Sequence, residues 1–228
     1  MFDKLLEIIR SDEFRVQLAE LNDNFFNLKQ ELHIRDLLLV LFNKYHSQEE
    51  IRAIAEHPRL EKEKTTEEER PRHKKPETLE DGRILHTRVD LSLVDKEEKE
   101  NPFKIELKYH FPKDKGGFLK YEESIQKHFT DRKSDGFILI VCDSDINGRK
   151  NFENTWLKEE TMFSNLSSND LKWKNNLKEK FQDENLKAES NFYEIKVDKP
   201  FETTYHFFIL ERKKGESNSS SQKIPLTC

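Results

Sequence analysis

Cysteine is nearly absent from this 228-residue chain: Cys142 sits inside an apolar run and Cys228 is the last residue. A disulfide framework is thereby excluded, and such sparing use of thiols is expected of a reducing cytoplasm. Glycine is scarce as well. Gly116-Gly117 stands isolated, so no glycine-rich phosphate loop is present, nor is there a Gly-x-Ser-x-Gly elbow. The histidines, His33, His46, His57, His73, His86, His110, His128 and His206, show no zinc-ligand spacing. No apolar stretch approaches the roughly 20 residues needed to span a bilayer, so no membrane segment is expected. Acidic residues at Asp3 and Glu7 come too early for a secretory signal.

Charge and phenylalanine are abundant instead. Charged residues (37%) outnumber hydrophobic ones (34%), and the mean hydropathy is -0.93, so much of the surface must be solvated charge. The 17 phenylalanines, with Leu and Ile, must then supply most of the core. The formal net charge of -5 argues against a dedicated nucleic-acid binder, because phosphate contacts need Lys and Arg. The objection is weak. Forty basic residues allow a basic patch on an acidic body, and a carboxylate metal site would itself add to the negative total.

Residues 1 to about 45 read as helical. Met1–Ile9 suits a short helix, and Ser11-Asp12 suits the start of another. The strongest helix runs from about Asn27 to Tyr45, where Ile34, Leu38, Leu41, Phe42 and Tyr45 form an apolar stripe. One turn back the stripe reaches Glu31. A carboxylate on an apolar face must be paired or coordinated, unless it lies in an exposed first turn near Lys29 or Arg35. Residues 48–60 fit either helix or a strand over Ile51–Ala55 with Glu56 near its end. Residues 61–82 form a charge run with Pro71, Pro76 and Gly82, expected to be a mobile loop. Within it, Arg70-Pro-Arg-His-Lys-Lys75 is a basic cluster, read as solvated surface or as a phosphate contact.

Two alternating segments follow, Ile84–Val94 and Phe103–Phe111, separated by the charged turn Asp95–Pro102. They predict an antiparallel hairpin. Asp90 and Glu106 are equidistant from Glu98, so a symmetric hairpin places them opposite one another. Like charges in that position destabilise a sheet unless a cation lies between them. Lys108, two residues past Glu106, projects from the same face. Taken singly, Asp90 reads as an exposed strand-edge acid, and Glu106 with Lys108 as a surface pair. Taken together, they make a candidate metal-dependent hydrolytic site.

Lys113–Gly117 is expected to be a loop. An amphipathic helix over about Leu119–Arg132 follows, with Leu119, Ile125 and Phe129 apolar. Gly136–Cys142 is a continuous apolar run, as expected of a strand covered on both faces. Strand, helix and buried strand make a right-handed crossover with the strands parallel or nearly neighbouring. Residues 144–190, carrying Trp156, Phe163, Trp173 and Phe181, read as loop and helix on the edge of the core. Phe192–Val197 and Tyr205–Glu211 read as strands turning near Pro200, and the Ser-rich 213–228 as a disordered tail.

The order helix, hairpin, helix, buried strand, with Arg-Val-Asp-Leu around Asp90 and Ile-Glu-Leu-Lys around Glu106, resembles the PD-(D/E)xK, or restriction-endonuclease-like, nuclease superfamily. The resemblance spans roughly residues 27–142. Val89 stands where the motif has proline. Glu-x-Lys alone is a cheap signal in a Lys/Glu-rich chain; its setting between apolar strands carries the weight. The resemblance implies a mixed α/β (α+β) fold with a central mixed sheet, an αβββαβ core and flanking helices. It implies one nuclease domain over 1–212, with a helical region (1–46) and a nuclease core (27–142).

It further implies hydrolysis of phosphodiesters by direct water attack, with Mg²⁺ as cofactor and Mn²⁺ as substitute. Magnesium suits oxygen ligands. Asp90, Glu106 and the Leu107 carbonyl would hold the ion, Lys108 would orient water or stabilise developing charge, and Glu31 would hold a metal-bound water or a second ion. Gln126 and Lys127 on the following helix are further candidates. The expected substrate is nucleic acid, DNA before RNA, cut by an endonuclease of a restriction or defence type. A symmetric homodimer would suit double-strand cutting. An RNA-cutting or end-trimming enzyme, or a non-catalytic assembly module on the same fold, are the alternatives.

Overall fold

The computed structural model describes residues 1–26, 29–61, 77–78, 84–112, 118–156 and 172–213. Three helices open the chain: α1 (Phe2–Arg10), α2 (Asp12–Phe25) and α3 (Glu31–Tyr45). Ser11 starts α2 as its residue type suggests, its Oγ accepting the Phe14 N–H at 3.1 Å. Strands β1 (Ile51–Glu61), β2 (Glu77–Thr78), β3 (Ile84–Asp95) and β4 (Phe103–His110) follow. Next come α4 (Phe118–Ile125), which continues as a π-helical turn over Gln126–Asp131, then β5 (Gly136–Ser144), α5 (Ile146–Trp156), α6 (Lys172–Phe181), β6 (Ala188–Val197) and β7 (Thr203–Arg212). The expected basic cluster at 70–75, the loop at 113–117 and the tail beyond 213 lie outside the described residues, as does Phe163.

The strands form one mixed sheet in the order β1-β3-β4-β5-β7-β6, with β2 paired to β3 beside that path. Among the described strands only β4 and β5 run parallel, Ile105 lying beside Gly136 and Tyr109 beside Ile140. This is the strand–helix–strand crossover that the sequence predicts, since a parallel pair needs a long connection. Helices cover both faces. Beneath one face Leu5, Ile9, Phe14, Leu18, Ile34, Leu38 and Phe42 of α1–α3 pack on Leu91, Leu93, Ile105, Leu107, Tyr109, Ile138 and Ile140. Beneath the other, Tyr121, Ile125 and Phe129 join Trp173, Leu177 and Phe181 of α6 over Phe137, Leu139, Val141, Phe208 and Leu210. β5 thus alternates its side chains between two cores, and every residue over Phe137–Val141 is buried. At the start of β5, Gly136 lies against the stacked rings of Phe2 and Phe103; a Cβ there would meet each ring at 3.1 Å.

Several expectations are corrected. α3 starts at Glu31, not at Asn27, and Tyr45 leaves the apolar stripe: it is 51% exposed, with its hydroxyl donating to Glu13. Leu119 is 62% exposed. The ambiguous segment from Gln48 to Leu60 resolves in favour of a strand, because Ile51 and Ala53 alternate inward against β3. The described part of residues 144–190 carries helices α5 and α6, as expected, whereas the strand expected over 192–197 begins earlier, at Ala188, where β7 offers partners from Arg212 onward.

A buried polar knot ties the α2–α3 junction to the sheet. The Tyr205 hydroxyl lies 2.8 Å from Asn22 Oδ1 and 2.6 Å from Gln30 Oε1. Asn22 in turn donates to the Lys199 carbonyl, and Gln30 to the Phe25 carbonyl. Gln30 caps α3 immediately before Glu31, so this knot fixes where α3 begins. Tyr205→Phe should leave buried amide oxygens underused and cost about 1–3 kcal/mol in urea denaturation, with the helical CD signal retained.

His206, 6% exposed, contributes a pH dependence. Burial pushes its pKa down to about 4, against the attraction of Glu194 and aided by Lys174 and Lys178 on α6. The unfolded chain therefore takes up a proton first as pH falls. The stabilisation is fully present above pH 6.5 and is lost as pH falls toward 4, an effect on the order of 3 kcal/mol. Denaturation midpoints of His206→Phe should vary less between about pH 6.5 and 4.5 than those of the wild type.

Candidate active site

The hairpin keeps the symmetric register that the sequence implies: Leu91 pairs with Ile105, Ser92 with Lys104 and Leu93 with Phe103. The ladder ends there. On its other side, β3 pairs Leu91 with Ala55 and Val89 with His57, and the pairing skips Glu56, which adopts a positive φ of 52°. Asp90 is therefore the residue at which β3 parts from β4, and a position at which its ladder with β1 is interrupted before resuming at Val89.

Past Ile105, the edge of β4 that faces β3 still carries backbone N–H groups, and these must find acceptors. Carboxylates supply them. Asp90 Oδ2 accepts the Leu107 N–H at 2.8 Å, and Glu31 Oε2 accepts the Tyr109 N–H at 2.9 Å. A fork between β3 and β4 is thus closed by two acidic side chains, one from β3 and one from the first residue of α3. N–H and C=O of one strand residue project from the same edge, so the Leu107 carbonyl also opens on the fork, while its side chain is fully buried.

Lys108 completes this group. Its Nζ donates to Glu31 Oε1 at 2.9 Å and lies 3.5 Å from Asp90 Oδ2. The side chains of Lys108, Asp90 and Glu31 are 20%, 22% and 26% exposed, so water and ligands reach them. Arg35, an expected alternative partner for Glu31, turns instead to Asp36 and Glu56.

Glu106 behaves differently. It is 1% exposed and belongs to a second charged group. Its Oε2 accepts from Arg132 at 2.6 Å and lies 3.2 Å from His128 Nδ1, both carried by the π-helical turn and its end. Its Oε1 is buried with no hydrogen-bond partner among the described residues. The simple expectation that the Asp90 and Glu106 carboxylates face one another is thereby amended: each has its own basic partners. Gln126 does not join them, since its amide donates to Asp131 at 2.6 Å, and Lys127 is exposed. The sequence alone does not single out His128 and Arg132; their spacing from the apolar positions is the one signal for them. They lie three residues beyond the buried Ile125 and Phe129, beside the apolar face that docks on the sheet.

Among the described residues, no three His, Cys, Asp or Glu side chains are grouped as a ready ligand set. The donors at the fork nevertheless suit a hard cation that takes one or two carboxylates and keeps several waters. The partnerless Glu106 Oε1 is the observation that favours this, since an unmatched buried carboxylate oxygen is costly.

Asp90 has a structural duty that separates two substitutions. Asp90→Ala should strand the Leu107 N–H and cost about 1–3 kcal/mol. Asp90→Asn retains an oxygen acceptor and should unfold in urea within about 1 kcal/mol of wild type.

No helix among the described residues is long and apolar enough to cross a membrane. Comparison of the chain with protein-family models, with curated proteins and with solved structures finds no match.

Proposed function

We propose that this protein is a metal-dependent nuclease with a restriction-endonuclease-like core, most simply an endonuclease acting on DNA. The observation that carries the reading is the fork between β3 and β4, where Asp90, Glu31 and Lys108 converge beside the Leu107 carbonyl, next along the strand from Glu106. The order α3-β1-β2-β3-β4-α4-β5, with β4 and β5 parallel, supports it: apart from the two-residue β2 beside β3, it follows the αβββαβ arrangement that the motif resemblance implies.

Asp90, Glu106 and the Leu107 carbonyl would hold Mg²⁺ or Mn²⁺, which when bound polarises the scissile phosphate and lowers the pKa of a water. The remaining work falls to the chain. Glu31 holds the Lys108 ammonium in place through Oε1 while its Oε2 is fixed by the β4 backbone. Lys108 orients the attacking water or offsets charge developing on the phosphoryl oxygens. The interior, through the buried faces of Leu107 and Tyr109, keeps β4 rigid, so these groups meet the phosphate already positioned. Phosphate and metal recognition reside in the fork; sugar and base recognition must come from peripheral segments.

Incubation with supercoiled plasmid, linear duplex, single-stranded DNA and RNA, with and without Mg²⁺, tests the reading. The expected result is Mg²⁺-dependent nicking of closed circles. Asp90→Asn, Glu106→Gln and Lys108→Met should each lower the rate at least about 100-fold, the scale of losing one aligned polar group, while remaining folded. Undiminished cleavage in these folded variants would refute the site. Loss from ends alone would indicate an exonuclease, and cleavage of RNA alone an RNA-directed enzyme.

A further inference from the structure

We infer that Arg132 and His128 are positioning residues for Glu106: together they fix Oε2, so that Oε1 is the oxygen presented to a divalent cation. The inference rests on the reading of the fork as a metal site and adds to it two residues outside the motif.

The asymmetry at Glu106 is what points there. Both basic groups approach the same oxygen, Arg132 at 2.6 Å and His128 at 3.2 Å, while Oε1 is buried without a partner among the described residues. An Arg–carboxylate pair serving packing alone tends toward two parallel hydrogen bonds, one to each oxygen. Here one oxygen receives both donors and the other none. At 1% exposure that arrangement forfeits hydrogen bonding that water would otherwise supply. Two donors on Oε2 also stop the carboxylate from turning about its last torsion, so Oε1 keeps one direction.

The turn that carries these donors is itself anchored. Ser134 Oγ donates to the His128 carbonyl at 2.8 Å. From the far end of β7, Arg212 donates to the Phe129 carbonyl at 2.8 Å and to the Ser134 carbonyl at 3.1 Å, with its guanidinium 4.4 Å from the centre of the Phe129 ring. A π-helical turn leaves carbonyls out of the regular α-helical ladder and is frequent at functional sites. Here those carbonyls are taken up by Ser134 and Arg212, which holds His128 and Arg132 over Glu106.

Two effects of Arg132 on a cation oppose each other. Its charge repels the ion, whereas its hydrogen bond orients the ligand. The Arg132 side chain is 28% exposed, so solvent screens the repulsion, while the orientation acts directly on a buried ligand atom. Partners behind a metal ligand typically contribute about 10–100-fold in affinity, and orientation sets the sign here.

Binding of Mn²⁺, measured by electron paramagnetic resonance titration of the full chain, tests this without reference to turnover, alongside thermal denaturation. Arg132→Met should weaken Mn²⁺ binding about 10–100-fold and His128→Ala by a smaller factor of about 10, with Arg132→Lys recovering part of the loss. Unchanged or tighter binding in Arg132→Met and His128→Ala, with Glu106→Gln still abolishing it, would overturn the inference alone. Should Arg132→Met fail to fold, His128→Ala decides: wild-type affinity in that variant overturns it. Failure of the wild type to bind Mn²⁺, or wild-type binding by Glu106→Gln, would bring down the metal-site reading and this inference with it.

Discussion

The structure turns on the unpaired edge of β4. Beyond Ile105, that edge gives up its partner strand, and backbone donors that would be intolerable if stranded are met by carboxylates instead. This single constraint collects acidic groups where a sheet would ordinarily exclude them. It also recruits α3, whose first residue must reach β4, and therefore the polar knot of Asn22, Gln30 and Tyr205 that fixes where α3 starts. Lys108 then resolves the charge that the two acids bring together.

Much of this was legible in the sequence because strands are periodic and hairpins have a centre. Equal spacing about Glu98 gave the register without any knowledge of packing, and the apolar run at Gly136–Cys142 announced the doubly covered strand beside β4. The stripe in α3 placed Glu31 on a face where it needed a partner, though its partners, Lys108 and the Tyr109 N–H, lie 77 and 78 residues away and no local rule names them.

What escaped the sequence depended on departures from regular geometry. A hairpin read as an ideal ladder puts Asp90 and Glu106 face to face; the actual strands part at that point, and each acid finds a different basic neighbour. Read as a regular α-helix, the segment after the hairpin put forward Gln126 and Lys127 and passed over His128 and Arg132. The choice among them was made by the docking of Ile125 and Phe129 on the sheet and by the π-helical turn, neither of which is written in residue spacing alone. Leu119 and Tyr45 were misjudged for the opposite reason: their apolar character fits a buried stripe, yet helix ends lie where the core has already run out.

The π-helical turn has a consequence for how this protein can change over generations. Successive helical residues are about 100° apart, so deleting a single codon within Gln126–Asp131 would turn the few residues between the deletion and β5, Arg132 among them, around the helix axis by about that angle relative to Ile125. Glu106 would keep its place in β4 but lose the guanidinium above it. One small deletion there thus suffices to uncouple Arg132 from Glu106, whose own place is set by the pairing of β4 with β5.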